Sequence, residues 1–427
     1  MKFFLRWVGV CLGGTLLGLA ATTKVSAESP QLQLSSPLDY QVIQRASKGQ
    51  GTIPIVGRLS GGPSKGQVEA RLVVEGRPGN WRPVARLSSS EGFAGSLSAP
   101  SGGWYGLEVR AVSADGSLPE TTVAVAHVGV GEIFVVAGQS NSANHGEEKQ
   151  QTTTGLVANF DGKKWQLAND PQPGASGAGG SFLPPLGDTL AKQWGVPIGF
   201  VACGIGATSV REWLPKGARF PNPPTLVSRV RSVPGGEWES DGRAFDNLVV
   251  RLQQIGLRGF RAVLWHQGES DANQTDATRT LPGHLYREYL EKVIRESNRQ
   301  IGWDAPWFVA QVSYHVPGDE ASPDIRAAQA SLWRDGIALE GPDSDALKGT
   351  FRDSGGKGVH FSGPGLKEHA QRWANRLIPW MEGKGNSVTR KAAKAETNPA
   401  AVKAPAPPKQ SNRKASASRP GPRLPLR

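Results

Sequence analysis

Four short polar blocks of the 427-residue sequence contain the residue types that acyl transfer requires. Three of them each follow an apolar segment and one precedes a final amphipathic segment: Gly138-Gln139-Ser140-Asn141, Gly204-Ile205-Gly206-Ala207-Thr208, His266-Gln267-Gly268-Glu269-Ser270-Asp271 and Gly358-Val359-His360-Phe361-Ser362. A serine hydroxyl becomes a good nucleophile when an imidazole within hydrogen-bond distance accepts its proton. Ser140 and His360 are therefore the candidate nucleophile and base, although serine and asparagine after a strand also serve as ordinary helix caps.

The elements around these blocks must bring them together, and the hydrophobic pattern from Glu132 onward predicts how. Short apolar strands are expected at 133–137, 198–202, 262–265 and 307–312. Amphipathic helices are expected at 186–194, 245–255 and 285–294, with a last helix that has Pro364 in its first turn. Apolar strands that alternate with helices predict an α/β fold with a parallel sheet covered on both faces. Ligands bind beyond the carboxyl ends of such strands, so the polar blocks are expected at one rim.

The region before this pattern has a different rhythm. Residues 68–72 and 107–111 alternate between apolar and polar types, and turn-forming clusters at 60–63 and 76–80 separate such segments. Period-two alternation between turns is typical of antiparallel strands with one buried face. We therefore predict a small immunoglobulin- or fibronectin-like β-sandwich over residues 28–130.

The first 27 residues have the composition of an export signal. Lys2 and Arg6 precede an apolar run, and Val25-Ser26-Ala27 has the small-x-small form of a signal-peptidase site. This pattern predicts that the mature protein is secreted or periplasmic. The apolar run is shorter than the roughly 20 residues that a membrane-spanning helix needs, so no membrane span is expected.

The strong positive charge of the chain is concentrated at its end. Residues 383–427 hold eleven Lys and Arg against a single acid, Glu396, which gives +10 of the total +12. The export signal adds +3, so 12 − 10 − 3 leaves −1 for residues 28–382, and no nucleic-acid partner is expected. The tail, rich in Ala, Pro and Ser, is expected to be disordered. It is a candidate ligand for an anionic envelope polymer, with a merely solvated tail as the alternative.

Metal and phosphate chemistry find little support in the sequence. No His-x-x-x-His or His-Glu-x-x-His pair is present, and the histidines lie in separate segments. The glycine-rich segment 174–180 lacks the Gly-Lys-Ser/Thr ending of a phosphate-binding loop. Cys203 is the one cysteine that remains once the export signal is removed, so an internal disulfide is excluded. We expect no cofactor.

Together the four blocks resemble those of the SGNH hydrolase superfamily, and within it the branch of sialate O-acetylesterases and acetylxylan esterases. The resemblance covers about residues 132–381 and implies a three-layer, flavodoxin-like SGNH esterase domain over 131–382. It also implies a Ser140–His360 dyad, an acetyl-serine intermediate and an oxyanion hole built from the N–H groups of Ser140 and Gly206. A side-chain amide usually completes that hole. We choose Gln267, because the ionised carboxylate of Asp271 cannot donate a hydrogen bond.

The acid of the triad departs from the superfamily pattern. An aspartate commonly lies three residues before the histidine, but here that position is Lys357. Asp353 could reach His360 if the glycines between them let the loop fold back, and Glu269 would lie at the same rim. We favour Glu269 and keep Asp353 as the alternative. The residues expected to contact substrate are Asn141, Asp271 and His315.

The activity that the resemblance implies is hydrolysis of O-acetyl esters on a carbohydrate. A lipase or thioesterase on the same fold is one alternative, and it would need an apolar groove for an acyl chain. A non-catalytic carbohydrate-binding protein is the other, because the acid three residues before the histidine is missing. Turnover of an acetyl ester distinguishes the second alternative from an enzyme.

Overall fold

The computed structural model describes residues 30–61, 65–87, 92–114 and 121–383. The predicted export signal and all but the first residue of the predicted basic tail lie outside these ranges. The strands are β1 (Gln31–Ser36), β2 (Gln41–Gln44), β3 (Gln50–Ser60), β4 (Gly66–Val74), β5 (Arg77–Pro78), β6 (Arg82–Leu87), β7 (Gly92–Pro100), β8 (Gly102–Ser113), β9 (Thr121–Gly138), β10 (Val157–Phe160), β11 (Trp165–Leu167), β12 (Ile198–Ala202), β13 (Arg219–Phe220), β14 (Val230–Ser232), β15 (Trp238–Ser240), β16 (Ala262–His266), β17 (Trp307–Gln311) and β18 (Leu339–Asp343). The helices are α1 (Leu183–Trp194), α2 (Arg243–Ile255), α3 (Gly283–Ile301), α4 (Pro323–Arg334), the single turn α5 (Asp353–Gly356) and α6 (Gly363–Met381).

Mostly antiparallel strands make up the N-terminal part of the chain, although β2 pairs parallel with β9. β1, β3 and β7 form one three-stranded sheet. β4 pairs with β6 and β8, and β8 pairs with β9, all antiparallel. Val68 and Ala70 on β4 are fully buried, whereas Arg71 beside them forms an ion pair with Glu108 on β8. The predicted strands at 68–72 and 107–111 are confirmed, because they lie within β4 and β8.

Strand β9 takes part in both halves of the fold. Its first half pairs antiparallel with β8, and its second half lies parallel to β12 on one side and β16 on the other. Burial changes along the strand in the same way: residues 121–127 alternate between exposed and half-buried, and residues 128–138 are all buried. The apolar segment predicted at 133–137 is thus the end of a longer strand, and the boundary predicted near residue 130 falls inside it.

The sheet that carries the polar blocks has the strand order β11-β10-β12-β9-β16-β17-β18. All neighbours from β10 to β18 are parallel, and β11 adds an antiparallel edge. Three of the four predicted strands lie within β9, β12 and β16, the fourth extends one residue beyond β17, and the predicted α/β class is confirmed. Strands β10 and β18 were not predicted, and neither was helix α4, which packs against β17 and β18.

The helices form where the sequence places apolar residues at helical spacing. Along α2 the buried residues Phe245, Leu248, Val249 and Leu252 form one face, and the helix ends before Gly256, whose φ of 89° is left-handed. The three predicted internal helices are confirmed within α1, α2 and α3, which all begin two or three residues earlier than expected. Among the residues that the structure describes, none of the helices combines the length and the apolar character needed to cross a membrane.

Candidate active site

The candidate nucleophile lies in the turn that follows β9. Gly138 has a φ of 130°, and a Cβ added there would lie 2.0 Å from the carbonyl oxygen of His266, so the turn requires glycine. Gln139 N–H donates to the same carbonyl at 3.0 Å. Ser140 then begins a one-turn 3₁₀-helix, Ser140–Ser142, and the first N–H groups of a helix have no partner within it. The turn therefore places both the hydroxyl and the N–H of Ser140 at the carboxyl end of the sheet.

The second polar block lies directly against this turn. Ile205 N–H donates to the carbonyl of Gly138 at 2.9 Å, which fixes Gly206 next to the start of the 3₁₀-helix. A Cβ on Gly206 would lie 2.7 Å from Nε2 of His145, so a larger residue would displace that ring. The glycines of the first two blocks therefore permit a close approach of backbone and side chains at the site.

Ser140, Gly206 and His360 line one cavity with a volume of about 510 Å³. The cavity is also lined by the side chains of His145, Ser176, Arg229, Glu269 and His315. Within the described part of the chain, the Ser140 hydroxyl and the His360 ring do not form a hydrogen bond in this conformation. Catalytic hydrogen bonds are often long in the free enzyme and tighten when substrate binds. The structure thus brings the predicted nucleophile, base and backbone donor to a single cavity.

The carboxylate behind His360 belongs to Asp353, the alternative acid of the sequence analysis. Asp353 Oδ2 lies 3.5 Å from Nδ1 of His360, and Oδ1 accepts the backbone N–H of His360 at 3.2 Å. Ser354, Gly355 and Gly356 have φ values of 53°, 66° and 87°, a left-handed run that folds the loop back on itself. This fold of the loop places His360 beside Asp353, seven residues earlier in the chain.

Glycine is also required at the position two residues before His360. A Cβ on Gly358 would lie 1.7 Å from Oδ1 of Asp353, too close for any side chain. Gly358 N–H donates to the carbonyl of Asp353 at 3.0 Å, and Asp353 N–H donates to the carbonyl of His360 at 2.9 Å. The loop is thus closed by main-chain hydrogen bonds around the acid and the base.

The surroundings of His360 favour its neutral form. Burial lowers the pKa of His360, and this effect outweighs the carboxylate of Asp353, which raises the pKa. Arg352 also lowers it. His145, whose ring stacks on His360 with centroids 5.4 Å apart, has a pKa lowered by burial and by that neighbour. A neutral imidazole can accept a proton, so the site keeps its base ready near neutral pH.

Glu269, the acid that the sequence analysis favoured, makes different contacts. Its Oε1 accepts a hydrogen bond from the Asn141 amide at 3.1 Å, and its buried Oε2 has no partner among the described residues. Burial raises the pKa of Glu269 to about 7. The structure does not pair this carboxylate with His360, because the loop of Asp353 occupies the Nδ1 side of the ring. The structure places Asp353, the alternative acid, against His360, and the identity of the triad acid stays a prediction.

Gln267 does not lie at the cavity, contrary to its expected place in the oxyanion hole. It is fully buried, and its amide nitrogen donates to Asp271 Oδ2 at 2.7 Å and to the carbonyl of Thr208 at 3.1 Å. Both of its N–H groups are thus used inside the protein. Gln267 and Asp271, the two candidate donors of this block, thus bind each other.

The three residues expected to contact substrate have different positions. Asp271 is fully buried, where it accepts hydrogen bonds from Ser209 Oγ and from the guanidinium of Arg211. Asn141 is also buried, and it donates to Glu269 and to the carbonyl of Val359. Both make hydrogen bonds inside the protein, and their contact with substrate stays a prediction. His315 does line the cavity, where its ring contacts the carboxylate of Asp319 at 2.6 Å.

Ser176, Arg229 and Gln274 line the cavity but were not predicted from the sequence. Ser176 lies in the glycine-rich segment 174–180, whose unusual composition was a signal that something approaches the backbone there. Arg229 lies in a polar connection between β13 and β14 and has no motif around it. Its two hydrogen bonds, to Glu212 at 3.4 Å and to Ser228 at 3.3 Å, both use Nη1.

Metal ligands are not grouped at this site. In the part of the chain that the structure describes, no three His, Cys, Asp or Glu side chains are arranged to hold a metal ion. Cys203 at the end of β12 is buried, and burial raises the pKa of its thiol to about 12. The thiol is thus protonated and chemically inert at neutral pH.

Comparison with known proteins gives a family match over residues 130–379. The profile that matches is described as "Carbohydrate esterase, sialic acid-specific acetylesterase" and covers more than half of the chain. Comparison with curated proteins gives no match.

Solved structures with similar folds include carbohydrate esterases. A carbohydrate acetylesterase from Xanthomonas citri is 19% identical with a TM-score of 0.49, over 82% of this chain and 75% of that one. A carbohydrate esterase family 2 enzyme from Corynascus thermopiles (Myceliophthora fergusii) is 12% identical with a TM-score of 0.34, over 83% and 100% of the two chains. A protein from Arabidopsis thaliana is 16% identical with a TM-score of 0.40, over 58% and 97%. Because these TM-scores are below 0.5, membership of a family rests on the match over residues 130–379 alone.

Proposed function

The chain belongs to the carbohydrate esterase family of sialic acid-specific acetylesterases, and we propose that it hydrolyses sugar O-acetyl esters with Ser140 as nucleophile and His360 as base. Membership confirms the resemblance found in the sequence and makes the chain an enzyme of the carboxylic ester hydrolase class. The observation that carries the residue assignment is the shared cavity: Ser140, Gly206 and His360 all line it, and Asp353 lies against the ring of His360.

In the proposed first step, His360 Nε2 takes the proton of the Ser140 hydroxyl while Oγ attacks the acetyl carbonyl carbon. Asp353 holds Nδ1 and stabilises the imidazolium that forms, as the acid of a serine triad does. The carbonyl oxygen becomes an oxyanion. We propose that the N–H groups of Ser140 and Gly206 stabilise it, either by donating to it themselves or through a neighbouring side chain that accepts from them.

The proposed second half of the reaction reverses these transfers. His360 returns the proton to the sugar oxygen as the C–O bond breaks, which releases the deacetylated carbohydrate and leaves Ser140 acetylated. Water then attacks the acetyl-serine, His360 takes its proton, and collapse of the second tetrahedral intermediate gives acetate and free Ser140. His360 passes the proton taken from water to the leaving Ser140 Oγ, so the proposed reaction needs no cofactor.

An acidic sugar is the substrate that we propose for this cavity, with acetylxylan and other neutral polymers as the alternative. Among the lining residues, Arg229 carries the only guanidinium, and its Nε and Nη2 form no hydrogen bond to any residue that the structure describes. Burial raises the pKa of its partner Glu212 to about 7, so that carboxyl group neutralises Arg229 only in part. A guanidinium at a cavity with Nε and Nη2 available as donors suits the carboxylate of an acidic sugar.

Several broader predictions accompany this function. We propose that the parallel sheet and its helices form the three-layer, flavodoxin-like SGNH fold, that the N-terminal strands form a β-sandwich, and that the boundary lies near residue 130. Secretion or a periplasmic location and binding of an anionic polymer by the basic tail also stay proposals.

Acetate release from a panel of acetylated glycans tests the function. The panel contains O-acetylated sialic acids, acetylxylan and acetylated pectin, and p-nitrophenyl acetate is compared with long-chain nitrophenyl esters. We expect turnover of acetyl esters and its loss in Ser140→Ala, with the largest kcat/KM on an acidic sugar. Faster turnover of long-chain esters would favour a lipase or thioesterase, and full activity of Ser140→Ala would refute the assignment of the nucleophile.

A further inference from the structure

The Gln267 amide that was expected to complete the oxyanion hole does not line the cavity. Both N–H groups of the Gln267 amide are used by Asp271 and Thr208 in the interior. The Asn141 amide is likewise committed, to Glu269 and to the carbonyl of Val359, both at 3.1 Å. A donor aimed at the developing charge typically contributes a large share of the rate in acyl transfer. The side chains of Gln139, Gln274 and Ser176 also line the cavity, and among the described residues Ser176 is the one of these three that hydrogen-bonds to Gly206.

The hydroxyl of Ser176 lies at the cavity beside Gly206, one of the two proposed backbone donors. Ser176 Oγ accepts the N–H of Gly206 at 2.6 Å, the same N–H that is proposed to serve the oxyanion. It also lies 3.2 Å from Nε2 of His145. Because the Oγ already accepts from the backbone, its own proton remains available for donation, and a hydroxyl that accepts one hydrogen bond donates the next more strongly.

The main chain on both sides of this hydroxyl is fixed. Ser176 N–H donates to the carbonyl of Gly204, and Ser176 carbonyl accepts from the N–H of Asn144, both at 2.9 Å. Gly177 has a φ of 90°, and a Cβ there would lie 2.3 Å from the carbonyl oxygen of Asn144. The glycine-rich segment 174–180 thus packs directly against the residues that follow Ser140. Only rotation about the Cα–Cβ bond of Ser176 remains, which turns the hydroxyl within the cavity.

We propose that Ser176 is a further catalytic residue, whose hydroxyl donates a hydrogen bond to the oxyanion in place of a side-chain amide. In the free enzyme the Ser176 hydroxyl rests between Gly206 N–H and His145. When the tetrahedral intermediate forms, the hydroxyl turns its proton to the oxyanion and continues to accept from Gly206. The proton stays on Ser176 throughout, so the residue contributes charge stabilisation and no proton transfer. This inference rests on the esterase reaction proposed above.

Replacement of Ser176 distinguishes this role from its opposite, a hydroxyl that merely blocks Gly206 N–H. If Ser176 donates to the oxyanion, Ser176→Ala lowers kcat roughly 100-fold on p-nitrophenyl acetate with little change in KM. The affinity for phenylboronic acid, which forms a tetrahedral adduct with the nucleophile, falls in parallel. Ser176→Thr keeps the hydroxyl and is expected to recover most of the rate. If Ser176 only blocks the N–H, Ser176→Ala is as fast as the wild type or faster.

Controls keep the outcomes separate. Ser140→Ala is measured in the same series: if it retains activity, the esterase site itself is misassigned, whereas its loss leaves the Ser176 result to be judged alone. Thermal unfolding of each variant is recorded, and Ser176→Gly serves as a second hydroxyl-free variant if Ser176→Ala is destabilised. Unchanged or higher kcat in either hydroxyl-free variant, or a rise in KM alone, overturns the proposal.

Discussion

Replacement of Asp353 by asparagine tests the catalytic pair most directly. The variant keeps the size of the side chain and an oxygen that can accept the backbone N–H of His360, which now lies 3.2 Å from Oδ1. It removes the negative charge that lies 3.5 Å from Nδ1 of His360. The imidazolium that forms in the transition state would therefore lose its counter-charge, while the free enzyme keeps its shape.

The size of the loss follows from this distance. Two unit charges 3.5 Å apart interact by about 5 kcal/mol at an effective dielectric constant of about 20. The side chains of His360 and Asp353 are 27% and 19% exposed, so water screens part of this energy. We take about 2 to 3 kcal/mol as the remaining stabilisation, which corresponds to a roughly 30- to 150-fold loss of kcat/KM.

The assay is the pH profile of kcat/KM on p-nitrophenyl acetate for Asp353→Asn and for Glu269→Gln. Activity requires neutral His360 and is lost as pH falls through its pKa, which burial holds below the ordinary value of about 6.5. The carboxylate of Asp353 raises that pKa, so Asp353→Asn should move the acidic limb to still lower pH while it lowers the plateau.

Glu269→Gln supplies the matched comparison. Its carboxyl group does not contact His360, so we expect a smaller loss and an acidic limb that stays in place. A larger loss in Glu269→Gln than in Asp353→Asn, or an Asp353→Asn enzyme with the rate and pH profile of the wild type, would refute the assignment of Asp353.

Three further predictions concern the loop, the cavity and the buried thiol. Gly358→Ala places a methyl group 1.7 Å from Asp353 Oδ1, so kcat/KM should fall about as far as in Asp353→Asn, and the double variant should lose little more. Arg229→Gln should raise KM for O-acetylated sialic acid roughly 10- to 150-fold, the effect of about 1.5 to 3 kcal/mol from a charged hydrogen bond, and leave p-nitrophenyl acetate turnover unchanged. Cys203, with a pKa of about 12, should resist iodoacetamide at neutral pH, and labelling without loss of structure would contradict its burial.

The sequence predicts the α/β half well where hydrophobicity is continuous. Residues 198–202 and 262–265 are apolar throughout, because both faces of a central parallel strand are buried, and each is a strand in the structure. β10 was missed because buried Asn159 interrupts its apolar run, and its polar side chain is satisfied by Gln172. Periodicity does not reveal a polar residue whose partner comes from a distant loop.

At the site, the sequence predicts which blocks meet but not which side chains face the cavity. The positions of some residues follow from the fold: Gly138 and Ser140 lie at the end of β9, and His360 lies in the loop before α6. Gln267 and Asp271 lie in the same block, and their mutual hydrogen bond, which turns both away from the cavity, depends on side-chain rotation. Asp353 could be named as a candidate because the glycines between it and His360 permit a turn. The left-handed run at Ser354 to Gly356 forms that turn and brings the acid back to the histidine.

Removal of the first 120 residues would leave the first half of β9 without the strands that pair with it. That half of β9 pairs with β8, and residues 128–131 also pair with β2. A shortened chain would present a bare ribbon of unsatisfied N–H and C=O groups, a template on which another copy can stack. We therefore expect the shortened chain to associate with itself more readily than the full chain.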